Sequence, residues 1–407
     1  MLDILIKNAS EIVTEKGILK GDVGIKDGII TYITYIKGIP PPKAKKVIDA
    51  KNKIVLPGFV DCHTHLVYAG SRHFEYEQKT AGESYSSVHK KGGILYTVEQ
   101  TRNASMDDLV EKGLKDLDIM LEHGTTTVEI KSGYGLDVAN EIKMLYAIEK
   151  LKKNHPITII PTFLGAHTIP LEHKQNRRTY INLVKDIIPS IKFLKLAEYC
   201  DVFCDNIGFT YKESKEILTE AKKQGLKLKI HAEQTGYNRG AELAARLKAT
   251  SADHLDYITE KGMDKLKEAD VTAVLLPGVT YHLTEMIPGH KNPKRFLPKK
   301  VRKMIEKGVR VAIATDYNPG SCRTQSMKSI MEAAARLYRM NYKEILDAAT
   351  INAAHAIDRA DEIGSIDVGK KADIVIHDCK AHGILIDNFG INLVDTVIKD
   401  GKIVYQK

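Results

Sequence analysis

The chain has 407 residues, more than one average domain, with 43% hydrophobic and 28% charged side chains; this is globular composition and excludes a disordered chain. The net charge of +9 comes from 61 basic and 52 acidic residues. The basic runs from His173 to Arg178 and from Lys291 to Arg302 carry no interleaved aromatics and no nucleic-acid motif, so they read as solvated surface, with no nucleic-acid partner.

No run approaches the ~18 apolar residues of a membrane span. The start, Met1 to Lys7, alternates like a strand instead of following a leader's basic-then-apolar layout, so a cytoplasmic protein without membrane contact is expected. Five cysteines, at 62, 200, 204, 322 and 379, form no C-x-x-C pair. They read as reduced, small apolar residues.

Residues 2 to 56 read as short strands. Leu2–Ile6, Val23–Lys26, Ile29–Ile33 and Val47–Ile48 alternate or are β-branched, and Asp27-Gly28 is a hairpin signal. The far end is alike: Ala372–His377, then Thr396–Ile398 and Ile403–Tyr405 around Asp400-Gly401. Neither end carries enough chain for its own core. The two ends are therefore expected to meet in one small β-sandwich domain, residues 1–57 plus 362–407, beside a barrel domain of residues 58–361.

Between them strand and helix alternate. Strand candidates end near His63, Glu129, Phe163, Cys204, His231, His254, Leu276 and Thr315. Helical spacing covers Met106–His123, Lys212–Gln224, Arg239–Lys248 and Val301–Lys307, with Met327–Tyr338 and Tyr342–Arg359 after the eighth strand. This alternation predicts an α/β fold, a (β/α)8 TIM-like barrel, whose chemistry sits at the C-terminal strand ends.

The polar residues that chemistry would select fall at those ends. His63 and His65 lie one residue apart, and on a strand such residues share a face. His231 ends strand five, His254 strand six and Asp316 strand eight. Catalytic zinc takes three or four N/O ligands and keeps a position for water. His63, His65, His231 and Asp316 supply such a set, with His254 beside it as a proton carrier. Taken singly, Asp316 also suits a helix cap and each histidine a structural hydrogen bond. His73, His123, His155, His290, His355, His377 and His382 receive no role.

Other residues align with the same rim. Arg72 suits bidentate capture of a carboxylate. The glycines of Lys131-Ser132-Gly133-Tyr134-Gly135 permit a tight loop that presents Tyr134. His167 either binds substrate or ties down its loop. Gln234 lies three residues past His231. Asn318-Pro319-Gly320-Ser321 offers backbone and amide groups to a polar ligand, or is a helix-start turn.

At Pro57-Gly58-Phe59-Val60-Asp61-Cys62-His63-Thr64-His65, His231, His254 and Thr315-Asp316 the chain resembles the metal-dependent amidohydrolase superfamily. Its Gly70-Ser71-Arg72, Lys131-Ser132-Gly133-Tyr134-Gly135, Leu164-Gly165-Ala166-His167, His231-Ala232-Glu233-Gln234 and Asn318-Pro319-Gly320-Ser321 stretches are more narrowly similar to the imidazolonepropionase family of histidine degradation. That resemblance implies hydrolysis of the lactam of 4-imidazolone-5-propanoate to N-formimino-L-glutamate. It implies one zinc or iron ion per subunit on His63, His65, His231 and Asp316. It also implies a substrate site of Arg72, Tyr134, His167, Gln234, Asn318, Gly320 and Ser321, catalysis by His254 and Asp316, and a homodimer. Some relatives carry Glu at the position of Gln234; a glutamine is no general base, and Glu233, His254 and Asp316 stay open as proton carriers. No lysine ends strand three or four as in two-metal relatives, and Lys131 lies one strand early.

Two rivals follow from the same residues. A deaminase of a cyclic amidine or nucleobase would use the same barrel, but a neutral base needs no carboxylate clamp such as Arg72. A non-catalytic metal-binding or assembly protein would be expected to lose ligands, and all of them are present.

Overall fold

The computed structural model describes residues 1–34, 40–80, 92–283 and 298–407. His290 and the part of the basic run before residue 298 lie outside them. Five strands open the chain: β1 (Leu2–Thr14), β2 (Gly17–Lys26), β3 (Ile29–Ile33), β4 (Ala44–Asp49) and β5 (Ile54–Pro57). β1 is much longer than its alternation suggests. Register shifts between Ile6 and Ala9 and between Ala9 and Ile12 let it bend. Its first half then pairs with β4 and its second half with β5, both in parallel.

Eight parallel strands follow: β6 (Phe59–Thr64), β7 (Thr125–Lys131), β8 (Thr158–Ala166), β9 (Tyr199–Cys204), β10 (Lys227–Ala232), β11 (Ser251–His254), β12 (Thr272–Leu275) and β13 (Val311–Ile313). Each pairs with the next in chain order. The ring closes just past β13, where Asp316 N donates to His63 O at 3.0 Å and His65 N to Tyr317 O at 2.9 Å. The expected barrel is present, and its first and last strands meet at the histidine pair.

Helices cover the outside. Met106–Glu122 and Tyr211–Lys223 start where Ser105 with Asp108, and Thr210 with Glu213, form capping boxes. The helix expected over Tyr342–Arg359 is two helices, Tyr342–Ala349 and Ile351–His355. Thr350 breaks it: its hydroxyl donates to Leu346 O at 2.6 Å, and its backbone leaves the helical region (φ −130°, ψ −93°). The expected Met327–Tyr338 helix widens to π geometry over Ala334–Tyr338. Among the described residues, no helix is long and apolar enough to cross a membrane.

The chain ends in β14 (Ile374–His377), β15 (Val394–Lys399) and β16 (Lys402–Gln406). β14 runs antiparallel to β5, so both chain ends share one sheet, in the order β16-β15-β14-β5-β1-β2-β3 with β4 on β1. The sheet folds over on itself. Ile30 N donates to Lys370 O and Ala372 N to Gly28 O, which joins the β3 edge to the segment leading into β14. Gly401 packs on Gly28 so closely that an added Cβ would lie 2.7 Å from its Cα. The folded sheet encloses a separate core that includes Ile6, Ile12, Val23, Ile25, Ile374 and Ile376.

Gly58 joins the sheet to the barrel, and a Cβ there would meet Thr126 Oγ1 at 2.1 Å and Cγ2 at 2.4 Å. Gly58→Ala is therefore expected to destabilise by ~1–3 kcal/mol, the usual range for overpacking. Adding Thr126→Ala should recover part of the loss in urea unfolding. An unchanged midpoint in the single variant would contradict the tight joint.

Candidate active site

The two-residue period of β6 puts His63 and His65 on one face. Barrel closure brings Asp316 to them. Asp316 Oδ1 lies 3.5 Å from His63 Nε2 and 3.3 Å from His65 Nε2, and His231 Nε2 lies 3.3 Å from His65 Nε2. His254, at the end of β11, faces His231 with ring centroids 5.2 Å apart. All five side chains are buried. His254 and Asp316 hold positive φ angles, 75° and 50°, a costly backbone for residues with side chains.

These residues fit a divalent cation. Ligand atoms ~2.0–2.2 Å from a tetrahedral centre lie about 3.3–3.6 Å apart; the three separations above fall in that range, and the groups whose ligand atoms all lie within 4.8 Å of one another are His63, His65 and Asp316, and His63, His231 and His254. Two outer ring nitrogens face carboxylates: His63 Nδ1 is hydrogen-bonded to Asp253 Oδ2 at 2.6 Å, and His231 Nδ1 lies 2.9 Å from Asp201 Oδ2. A ring that donates from Nδ1 presents a lone pair at Nε2. His63 Nε2 and Asp316 Oδ1 are buried without a hydrogen-bond partner. A cation between them would satisfy both lone pairs at once.

As bare side chains, the cluster is strongly polarised. Burial and Lys131 push His63 down, but Asp253 and Asp316 outweigh them and raise it to about 9. Burial lowers His65 to about 4 and brings His167 and His254 well below the usual histidine value, so these rings are neutral. Burial opposes ionisation of Asp316, yet His63 and His65 hold its carboxyl well below the ordinary range.

A cavity of about 100 Å³ lies against this cluster. His65, His231, His254 and Asp316 line it, and so do Arg72, Tyr134, His167, Gln234, Asn318, Gly320 and Ser321. Sequence reasoning thus selected most of its wall. It missed Ile94, Thr168, Phe203, Ile207 and Thr235, which complete the lining. Thr168 and Thr235 follow strands β8 and β10, so the strand-end rule carried a signal for them; the apolar residues carried none.

The local fold explains how these side chains are held. The Arg72 guanidinium is buried and forked on Glu75, with Nε 2.9 Å from Oε1 and Nη2 2.6 Å from Oε2. It passes over Gly320, where an added Cβ would lie 2.2 Å from Nη1. Gly320 is a glycine because Arg72 occupies its side-chain space. The Asn318 side chain organises its own loop, accepting from Gly320 N and Ser321 N at 2.8 Å each.

The Tyr134 loop hangs on a residue the sequence reading passed over. Glu141 Oε1 accepts from Gly133 N at 3.2 Å, Gly135 N at 2.8 Å and Leu136 N at 2.9 Å. Gly133, at φ 110°, supplies the turn. His167 Nδ1 donates to Gly133 O at 2.9 Å, while its ring stacks on His65 with centroids 4.8 Å apart. It therefore ties down the loop and lines the cavity as well. Glu233 turns away from the cavity. Its Oε1 accepts from Ala241 N at 3.3 Å, and burial raises its carboxyl to about 7. Of the three proton carriers considered, only His254 and Asp316 border the cavity.

The profile of the amidohydrolase family matches residues 54–404. A protein of Thermoanaerobacter pseudethanolicus named imidazolonepropionase is 49% identical over 379 residues, covering 93% of this chain and 88% of the relative. One of the same name from Bacillus cytotoxicus is 42% identical over 423 residues, covering 100% and 98%. Among solved structures, a 5-methylcytosine deaminase from Klebsiella pneumoniae superposes with a TM-score of 0.78 at 18% identity, covering 99% of this chain and 98% of that one. An atrazine chlorohydrolase mutant from Arthrobacter aurescens, complexed with zinc and atraton, gives 0.77 at 15% identity, covering 99% and 95%. The structural likenesses speak to the fold alone.

The Glu141 anchor generates a test independent of activity. Removing a buried acceptor leaves its donors unsatisfied, at ~1–3 kcal/mol. In Glu141→Ala, hydrogen exchange of the Gly135 and Leu136 amides should quicken about tenfold or more. Unchanged protection would mean that the loop holds itself.

Proposed function

We propose, for a chain that belongs to the amidohydrolase family and within it to the imidazolonepropionase family, that the reaction is hydrolysis of the lactam of 4-imidazolone-5-propanoate to N-formimino-L-glutamate, a step of histidine degradation. One observation carries the reading. A cluster of cation donors and a buried guanidinium face one cavity of about 100 Å³. The substrate offers one group to each, a ring carbonyl and a propionate carboxylate.

In this reading one zinc or iron ion per subunit is held by His63, His65, His231 and Asp316, a donor set that suits either metal. When bound, such an ion supplies Lewis acidity and lowers the pKa of water towards neutrality. Lys131 does not serve a second ion, since Glu129 and Asp201 lie 2.8 and 2.9 Å from its ammonium.

The chain's own residues do the rest. Arg72 takes the propionate carboxylate; with Glu75 balancing its charge, it contributes directed N–H groups more than net field. Tyr134, His167 and Gln234 flank the ring, with the Asn318-to-Ser321 loop closing the carboxylate end. His254 hydrogen-bonds the carbonyl oxygen as charge develops there. Asp316, on the cavity wall, accepts a proton from the attacking water. It passes that proton to the ring nitrogen as the carbon–nitrogen bond breaks.

The test is turnover of 4-imidazolone-5-propanoate by zinc-loaded protein, with formiminoglutamate and ammonia assayed in one sample. Formiminoglutamate without ammonia is expected; ammonia would put the cyclic amidine deaminase in its place. Arg72→Ala and Gly320→Ala should each raise KM about tenfold or more, with kcat changed less, as loss of binding shared by ground and transition states requires. An unchanged KM in both would remove the carboxylate clamp.

A further inference from the structure

We propose that Lys131 is a positioning residue whose one buried ammonium sets the orientation of metal ligands on two separate strands; the inference rests on the metal-site reading above. The Lys131 side chain is fully buried. Its Nζ sits between two carboxylates, 2.8 Å from Glu129 Oε1 and 2.9 Å from Asp201 Oδ2. Each carboxylate leads to a different group of ligands.

Asp201 leads to β10. Its Oδ2 lies 2.9 Å from His231 Nδ1, and its Oδ1 accepts from His231 N at 3.2 Å and Val202 N at 2.7 Å. This carboxylate therefore hydrogen-bonds the backbone of His231 and stands at ion-pair distance from its ring. Glu129 leads to β6. Its Oε2 accepts from Thr64 N at 3.3 Å, and its backbone oxygen accepts from Thr64 Oγ1 at 2.7 Å. Thr64 is the residue between His63 and His65, so its placement sets the pitch of both.

A buried ammonium away from water is stable only when anions surround it. Reciprocally, two buried carboxylates in line stay in place only with a cation between them. Lys131 thus locks Asp201 and Glu129 at a fixed separation, and through them the His231 ring and the His63–His65 pair. Lys229 is placed differently. Its Nζ is 3.8 Å from Asp253 Oδ2 and donates at closer range to Ser251 Oγ and Ala356 O. The tight relay belongs to Lys131.

Lys131→Met keeps similar length without the charge. Zinc affinity, measured by chelator competition, should fall about 10–100-fold, the usual effect of removing a group that orients a ligand. KM at saturating zinc should change little. Asp201→Asn should weaken zinc similarly, and the double variant should lose no more than the worse single, because both changes act on His231. Glu129→Gln/Lys131→Met removes one charge of each sign, and it carries the test if the single variant does not fold. Wild-type zinc affinity in either variant would overturn the proposal, even if stability fell, and so would additive losses in the Lys131→Met/Asp201→Asn variant. A wild-type protein that binds no zinc would overturn the metal reading itself.

Discussion

His231 meets Asp201, Asp201 meets the ammonium of Lys131, and Lys131 meets Glu129, all buried beneath the cavity that His231 lines. Burying charge is costly unless each group is paired, so this chain fixes the interior of the barrel beneath the cavity. Acids outnumber bases there: Asp61, Glu129, Asp201, Asp253 and Asp316 against Lys131, Lys229 and the His63 ring, all buried. A divalent cation bound among the histidines, as proposed, would offset that excess.

Closure of the barrel completes the arrangement. His63 and Asp316 are far apart in sequence and meet only because β6 and the segment after β13 lie side by side. Asp61 latches the seam: its Oδ2 accepts from Thr315 Oγ1 at 2.6 Å and its Oδ1 from Thr315 N at 3.1 Å. Substrate chemistry is thereby joined to fold stability at one place. The loops above the seam then add what the strands lack, a guanidinium aimed by Glu75 and a tyrosine loop hung on Glu141.

The strand-end histidines and Asp316 were legible in the sequence because period two and the barrel rule turn positions into directions. The carboxylates beneath them were not. Glu129, Asp201 and Asp253 sit inside short strands, where a single acid reads as an outward-facing residue; only their burial reveals them as partners. The signal was present as charges inside otherwise apolar runs, such as Asp201 among Tyr199, Cys200, Val202 and Phe203. Elsewhere local rules misled. Thr350 breaks a helix that periodicity carries through. The bend of β1 follows from bulges that alternation cannot display.

The most direct test of the account is the coordination of zinc, read by anomalous diffraction and X-ray absorption from zinc-loaded protein. The account predicts one ion per chain, on Nε2 of His63, His65 and His231 and a carboxylate oxygen of Asp316, at ~2.0–2.2 Å. An ion held elsewhere, a Cys62 thiolate among its ligands, or a second ion on Lys131 would contradict it.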